Sequence, residues 1–261
     1  MSTSTSTFLD EYDPLYPDSD GKPMAENTTQ FDWIVTLRTG LDILYRDDHD
    51  VFIASDLLWY PLKGKPSVCT APDALIAFGR PKGHRHSYKT WVEENVPPHV
   101  VFEILSPGNR PKEMRKKLEF YERYGVEEYY VYDPDRGRLQ GYLRSDDRLH
   151  PIDEMQGWTS PRMSVRFELD LDGKLRLTGP DGREFVGPLA LAEERDEIAQ
   201  ERDDIAQERD EIAMQRDEIA VQLRQTQRDR DKAEHNREQE RLRAERLLEK
   251  LKALGIDTED L

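Results

Sequence analysis

The strongest constraint in this chain is the run His99-Val-Val-Phe-Glu-Ile-Leu105, almost continuously apolar with a single acid inside it. Apolar runs of this length, without alternation, mark a strand covered on both faces and hence a central place in a sheet with layers above and below. Side chains alternate along a strand, so Val101, Glu103 and Leu105 share one face and Val100, Phe102 and Ile104 the other. Glu103 is therefore set among apolar neighbours, where an unpaired carboxylate is costly. Something cationic should meet it.

The next element offers a candidate. Ser106-Pro-Gly-Asn109 breaks the run and Pro111 falls at the first position of a helix that ends near Tyr124, with Gly125 as its stop. On a helical projection Met114, Lys117, Leu118, Tyr121 and Gly125 form one arc, with Phe120 and Tyr124 at its edge; Lys112, Lys116 and Arg123 lie opposite. Lys117 sits near the middle of the apolar arc and Glu113 one turn before it, so the helix presents an acid and a base inward. A buried Glu103–Lys117 pair with no chemistry fits this spacing, as does a Lys117 that snorkels out along its stem. Asp73 follows Pro72 at the head of the strand Asp73–Phe78; Pro-Asp is common turn chemistry, but three inward ionisable groups around one sheet are a pattern of functional sites.

Around this centre the reading is of an α/β (α+β) core with a mixed sheet flanked by helices. A helix is predicted over about Ala25–Tyr45, from Ile34, Leu37, Leu41 and Leu44, followed by a short strand at Val51–Ala54 and another short element at Asp56–Tyr60. Residues 79–98 read as a long loop, and further strands as Val126–Tyr132, Gln140–Leu143 and within 163–177. In that loop His84 and His86 form an H-x-H pair, which in a Lys/Arg/Gly-rich setting reads as solvated or phosphate-contacting before it reads as a metal site. Trp59, Trp91 and Trp158 read as core or loop anchors rather than base-stacking residues.

Three segments follow: a Ser/Thr/Asp/Pro-rich flexible arm over 1–22, the core over 23–187, and a charged helix over 188–261. The last holds four near-identical heptads, beginning Glu194-Arg-Asp-Glu-Ile-Ala-Gln200, that put Leu191, Ile198, Ile205, Ile212 and Ile219 seven residues apart. Arg195, Arg202, Arg209 and Arg216 occupy the other seam position, so the seam is narrow and self-association through it weak. An oligomerising helix and a solvated single helix held by i,i+4 pairs are both open.

The net charge of −16 divides evenly: from Leu189 onward 22 acids and 14 bases leave −8, and the rest carries the other −8. That balance disfavours unspecific nucleic-acid binding, which rests on neutralising phosphates. One cysteine, Cys69, rules out an internal disulfide framework and a cysteine zinc site. The polar start Met1–Thr7 is unlike a signal peptide, and no run approaches a membrane span, so a cytoplasmic protein is expected.

Ala71-Pro-Asp73-Ala-Leu-Ile-Ala, Val101-Phe-Glu103-Ile-Leu-Ser-Pro107, Lys117-Leu-Glu-Phe-Tyr121 and Tyr124-Gly-Val-Glu-Glu-Tyr-Tyr-Val-Tyr-Asp133-Pro, in that order, closely resemble the Uma2 family (DUF820) of restriction-endonuclease-like proteins, within the PD-(D/E)XK nuclease superfamily. The resemblance covers about Pro23–Leu177, and a charged tail ending in Leu254-Gly-Ile-Asp257 also looks typical. It implies an endonuclease acting on DNA, with Mg²⁺ (or Mn²⁺) held by Asp73, Glu103 and the Ile104 carbonyl. Lys117 would act on the attacking water or the phosphate, with Glu113 and Tyr121 in support. The superfamily lysine normally lies two residues after the acid, where this chain has Leu105; the family reading moves it to Lys117 on the helix. Glu26 is a further candidate carboxylate, or simply an acid favoured at a helix start. A homo-oligomer, through the core or residues 189–261, is expected. The competing reading is a catalytically weak or inactive nuclease-fold module that binds nucleic acid or protein partners, its tail doing the work; the acidic balance favours it, the intact Asp73, Glu103 and Lys117 set opposes it.

Overall fold

The strand predicted around Glu103 is β5, Val100–Ile104, buried at every position. In this computed structural model, which describes residues 12–19, 21 and 25–253, β5 lies third in a six-stranded sheet. Leu254–Asp257 and Met1–Thr7 fall outside the described residues. The other strands of this sheet are β1 (Val51–Ala54), β3 (Ala74–Phe78), β6 (Glu128–Asp133), β7 (Arg138–Ser145) and β8 (Arg148–Pro151), in the order β1-β3-β5-β6-β7-β8. β5 and β6 pair in parallel and every other pair in the sheet is antiparallel. The parallel pair needs a crossover, supplied by helix α2, Pro111–Arg123. Pro111 follows an extended Arg110 as expected, and Gly125 takes φ +92° just after the C-cap Tyr124, a conformation glycine adopts without strain.

The two faces of β5 go to two separate cores. Val100, Phe102 and Ile104 join Ile34, Leu37 and Leu41 of helix α1 (Thr28–Leu44), and residues of a second, three-stranded sheet. That sheet runs β11-β10-β9, from β9 (Trp158–Thr159), β10 (Arg166–Leu169) and β11 (Leu175–Thr178). Val101 packs on the other face with Tyr121 of α2, Trp59 and Tyr129. Trp59 belongs to a short parallel pair, β2 (Trp59–Tyr60) with β4 (Tyr88–Lys89); β4 lies inside the stretch expected to be only a loop. The tryptophans are anchors: Trp59 is fully buried and donates to Thr90 Oγ1 at 2.8 Å, Trp158 donates to the Tyr130 hydroxyl at 3.1 Å, and Trp91 packs on Tyr16 with ring centroids 4.8 Å apart. Tyr16, in the segment expected to be a flexible arm, is buried against Tyr60.

The chain divides into two units, Met1–Glu193 and Glu194–Leu261. Helix α3, Pro188–Ala253, buries none of its described side chains. Among the described residues no helix is long and apolar enough to cross a membrane.

One packing contact is made possible by a missing side chain. A Cβ at Gly40, on the buried side of α1, would lie 2.3 Å from the Phe185 ring. Gly40→Ala should destabilise the protein by about 1–3 kcal/mol through overpacking, read as a lower urea midpoint. Adding Phe185→Ala should shrink that penalty; an equal cost of Gly40→Ala in both backgrounds would show that the ring is not the cause.

Candidate active site

Asp73 and Glu103 come together through strand register. β3 and β5 pair with Ala74 opposite Phe102 and Leu75 opposite Val101. Continued by one residue, that antiparallel register puts Asp73 opposite Glu103, on the face that carries Val101, and directly opposed side chains start about 5 Å apart at Cβ. Both are buried, at 7% and 3% exposure. Asp73 Oδ2 accepts the Ile104 N–H at 2.6 Å, which ties the head of β3 to the end of β5.

Helix α2 lies over this face and delivers two donors to Glu103. Lys117 Nζ donates to Glu103 Oε2 at 2.6 Å, and the buried Tyr121 hydroxyl donates to Oε1. Burial by itself would lower the Lys117 pKa, but the charge and hydrogen bond of Glu103 outweigh it and hold the ammonium above its usual value. Burial first and then the Glu103 charge push Tyr121 well above the phenolic range, so its proton stays on oxygen. Glu113 and Lys116 line the same cavity as Lys117; Lys116 is exposed, as expected of its side of the helix, and Glu113, expected to face inward, is exposed as well.

That cavity, of about 340 Å³, is also lined by Asp73, Glu26, Gln30 and Asp56. Glu26 accepts from Ser106 Oγ. Gln30 was not anticipated. It is buried, donates from Nε2 to the Ile104 carbonyl at 2.9 Å, and accepts the Glu26 N–H at Oε1 at 2.8 Å. The signal was there: Gln30, Ile34, Leu37 and Leu41 follow one buried helical stripe, and a polar residue in such a stripe needs a reason. Tyr129 was also missed; its hydroxyl is buried without a hydrogen-bond partner, on the same face as Glu103.

The oxygen donors of Asp73, Glu103 and the Ile104 carbonyl suit a hard cation such as Mg²⁺. The electrostatics point the same way. Burial, and then the neighbouring Glu103 charge, push Asp73 up to about 8, against the opposing pull of the Ile104 N–H and Lys117. Two acids this close and this buried favour either a proton or a cation between them. Among the described residues no three His, Cys, Asp or Glu side chains converge as a metal cluster. His86 instead packs edge-on against Tyr12 and lies 3.7 Å from Asp18, and Arg85 between the two histidines is bound to Glu93.

A model of the family described as "Uma2: Putative restriction endonuclease" matches residues 26–172, more than half of the chain and a span that includes Glu26, Asp73, Glu103 and Lys117. The chain belongs to the Uma2 family. A solved structure from Anabaena variabilis, described as "a putative nuclease belonging to DUF820", is similar at 15% identity and a TM-score of 0.37, covering 55% of this chain and 78% of that one. No curated protein matches. Membership in Uma2 rests on the family model alone.

The raised Asp73 pKa has a definite sign in stability. An unfolded aspartate ionises near 3.8, so between about pH 4 and pH 8 the folded protein keeps a proton that the unfolded chain has lost. The stabilisation from this group is complete below pH 4 and disappears as pH rises through 8. In metal-free buffer, urea unfolding of the wild type should therefore show stability falling across that window, and Asp73→Asn should flatten the fall. Identical pH slopes for the two proteins would overturn the account of Asp73.

Proposed function

We propose that this Uma2 protein is a divalent-metal-dependent endonuclease that hydrolyses phosphodiester bonds of DNA at the Asp73–Glu103–Lys117 site, with its charged tail serving association and its place in the cytoplasm. The observation that carries the reading is two carboxylates opposed across adjacent strands, one of them bonded to a lysine on a cavity wall. Asp73, Glu103 and the Ile104 carbonyl are the groups that would hold Mg²⁺ or Mn²⁺, the carbonyl keeping one lone pair beside the bond from Gln30. When bound, the ion supplies Lewis acidity to a phosphate oxygen and eases ionisation of a water.

The chain's own residues do the rest. Lys117 stays charged and stands where negative charge grows on a phosphate in the transition state. Glu103 and Tyr121 keep its ammonium near Asp73 rather than in solvent. Lys116, exposed beside the cavity, offers a phosphate local attraction that the acidic chain as a whole does not. Gln30 orients the Ile104 carbonyl and joins it to the start of α1.

The competing reading, an inactive module of this fold, draws on the Glu103 and Ile104 oxygens already being engaged by Lys117, Tyr121 and Gln30. One assay separates the two. Plasmid and single-stranded DNA are incubated with wild type, Asp73→Ala, Glu103→Ala and Lys117→Ala, in Mg²⁺ or Mn²⁺ and in chelator. Wild type should cleave only with metal, and each substitution should slow cleavage by about 10²-fold or more. Cleavage that survives all three substitutions removes the site assignment, and a pure wild type that cuts nothing supports the module.

A further inference from the structure

In the four repeats of α3, Gln200 and Gln207 donate to Asp204 and Glu211 four residues on, but the arginines have no opposite charge at such a spacing. Three and four residues on either side of Arg202 stand Ile198, Ala199, Ile205 and Ala206, and Arg195, Arg209 and Arg216 have the same kind of surroundings, with Leu191 and Ala192 completing those of Arg195. A helix that stands alone on ion pairs places opposite charges at those spacings. Here those positions are aliphatic, while Glu197 and Glu201, and Asp204 and Glu208, put like charges four apart. The contacts that Arg195, Arg209 and Arg216 make are to the next residue in sequence, at 3.2–3.4 Å and on side chains about four-fifths exposed. Ile198, Ile205, Ile212 and Ile219 are 51–58% exposed beside them. The stripe thus combines unburied isoleucines with arginines whose charges are matched on their own helix only by those adjacent acids.

The missing partner can be read from the repeat itself. With the isoleucines at heptad position d, the arginines fall at a, Ala at e, and Glu194, Glu201 and Glu208 at g, each immediately before its arginine. Leu247 is still in the d phase, and Leu223 and Leu251 in the a phase. In a parallel two-stranded coiled coil an a side chain packs beside the g residue that precedes the a position of the other helix. We propose that α3 forms a parallel, in-register, two-stranded coiled coil with a second copy of this chain, in which isoleucine layers meet isoleucine layers and each seam arginine pairs with a g acid or amide across the interface. An antiparallel pair would set the arginine column against the isoleucine column and lose every Ile–Ile layer. Nucleic acid is a poor occupant of the stripe, because residues from Leu189 onward carry a net −8. This inference rests on the associative reading of the tail and is independent of the nuclease chemistry.

The test uses the full chain with Cys69→Ala, carrying Ile198→Cys or Ile219→Cys separately, under mild oxidation. In the parallel, in-register pair each variant links to itself as a reducible two-chain species, because the same d residue of both copies shares a layer. Sedimentation of the wild type over a concentration series should show a reversible dimer, weakened at least tenfold by Glu194→Lys, Glu201→Lys and Glu208→Lys combined. A monomer at every concentration overturns the associative reading. A dimer in which neither cysteine, or only one, links to itself overturns the parallel register alone.

Discussion

Much of this fold is organised by the need to satisfy one carboxylate. Glu103 is 3% exposed inside a strand that is buried at every position, and an ionised acid there is tolerable only with donors at hand. The donors come from α2, whose Lys117 and Tyr121 each take one oxygen. Those two bonds tie α2 to the sheet within the crossover that the parallel β5–β6 pair requires. The opposed Asp73 adds a second acid to the same face, and the site becomes one that prefers a positive charge between its carboxylates.

The other face of the sheet meets the same problem and solves it differently. Glu128, at 1% exposure, begins β6 and accepts from the Tyr130 hydroxyl at 2.9 Å, from Ser160 Oγ, and from the Arg162 N–H at 2.7 Å. All three donors are neutral, two of them belong to the segment between β9 and β10, and Glu128 lines no part of the Asp73 cavity. Burial raises the Glu128 pKa without an adjacent lysine to oppose it. It is a brace that fastens the three-stranded sheet to the main one. Burial of an acid alone therefore does not distinguish Glu103 from Glu128; the lysine, the second acid and the cavity do.

Residues 194–253 obey other rules. None of their described side chains is buried, and what specifies them is a repeat of charge and aliphatic positions rather than a packed core. The i,i±3 and i,i±4 neighbours of the four repeat arginines are aliphatic, so the repeat does not pair these charges along its own helix at those spacings.

Much was legible from local pattern alone. The covered strand around Glu103, the face it shares with Val101, the helix starting at Pro111 and the inward placing of Lys117 and Tyr121 all follow from periods of two and 3.6 residues, which every side chain on an element obeys. Those periods cannot say which strand lies beside which. That Asp73 stands opposite Glu103 depends on β3 pairing antiparallel with β5, a contact between residues some 30 apart in sequence, and that Gln30 reaches the Ile104 carbonyl depends on α1 docking 74 residues upstream. The burial of Tyr16 and the short β2–β4 pair were hidden for the same reason: a few residues carry too little periodicity, and their place is decided by what the rest of the chain packs against them. Sequence alone determined that Glu103, Lys117 and Tyr121 point inward; only tertiary structure decided which groups meet, because strand order and register are set by the joint burial of both sheet faces and not by any one segment.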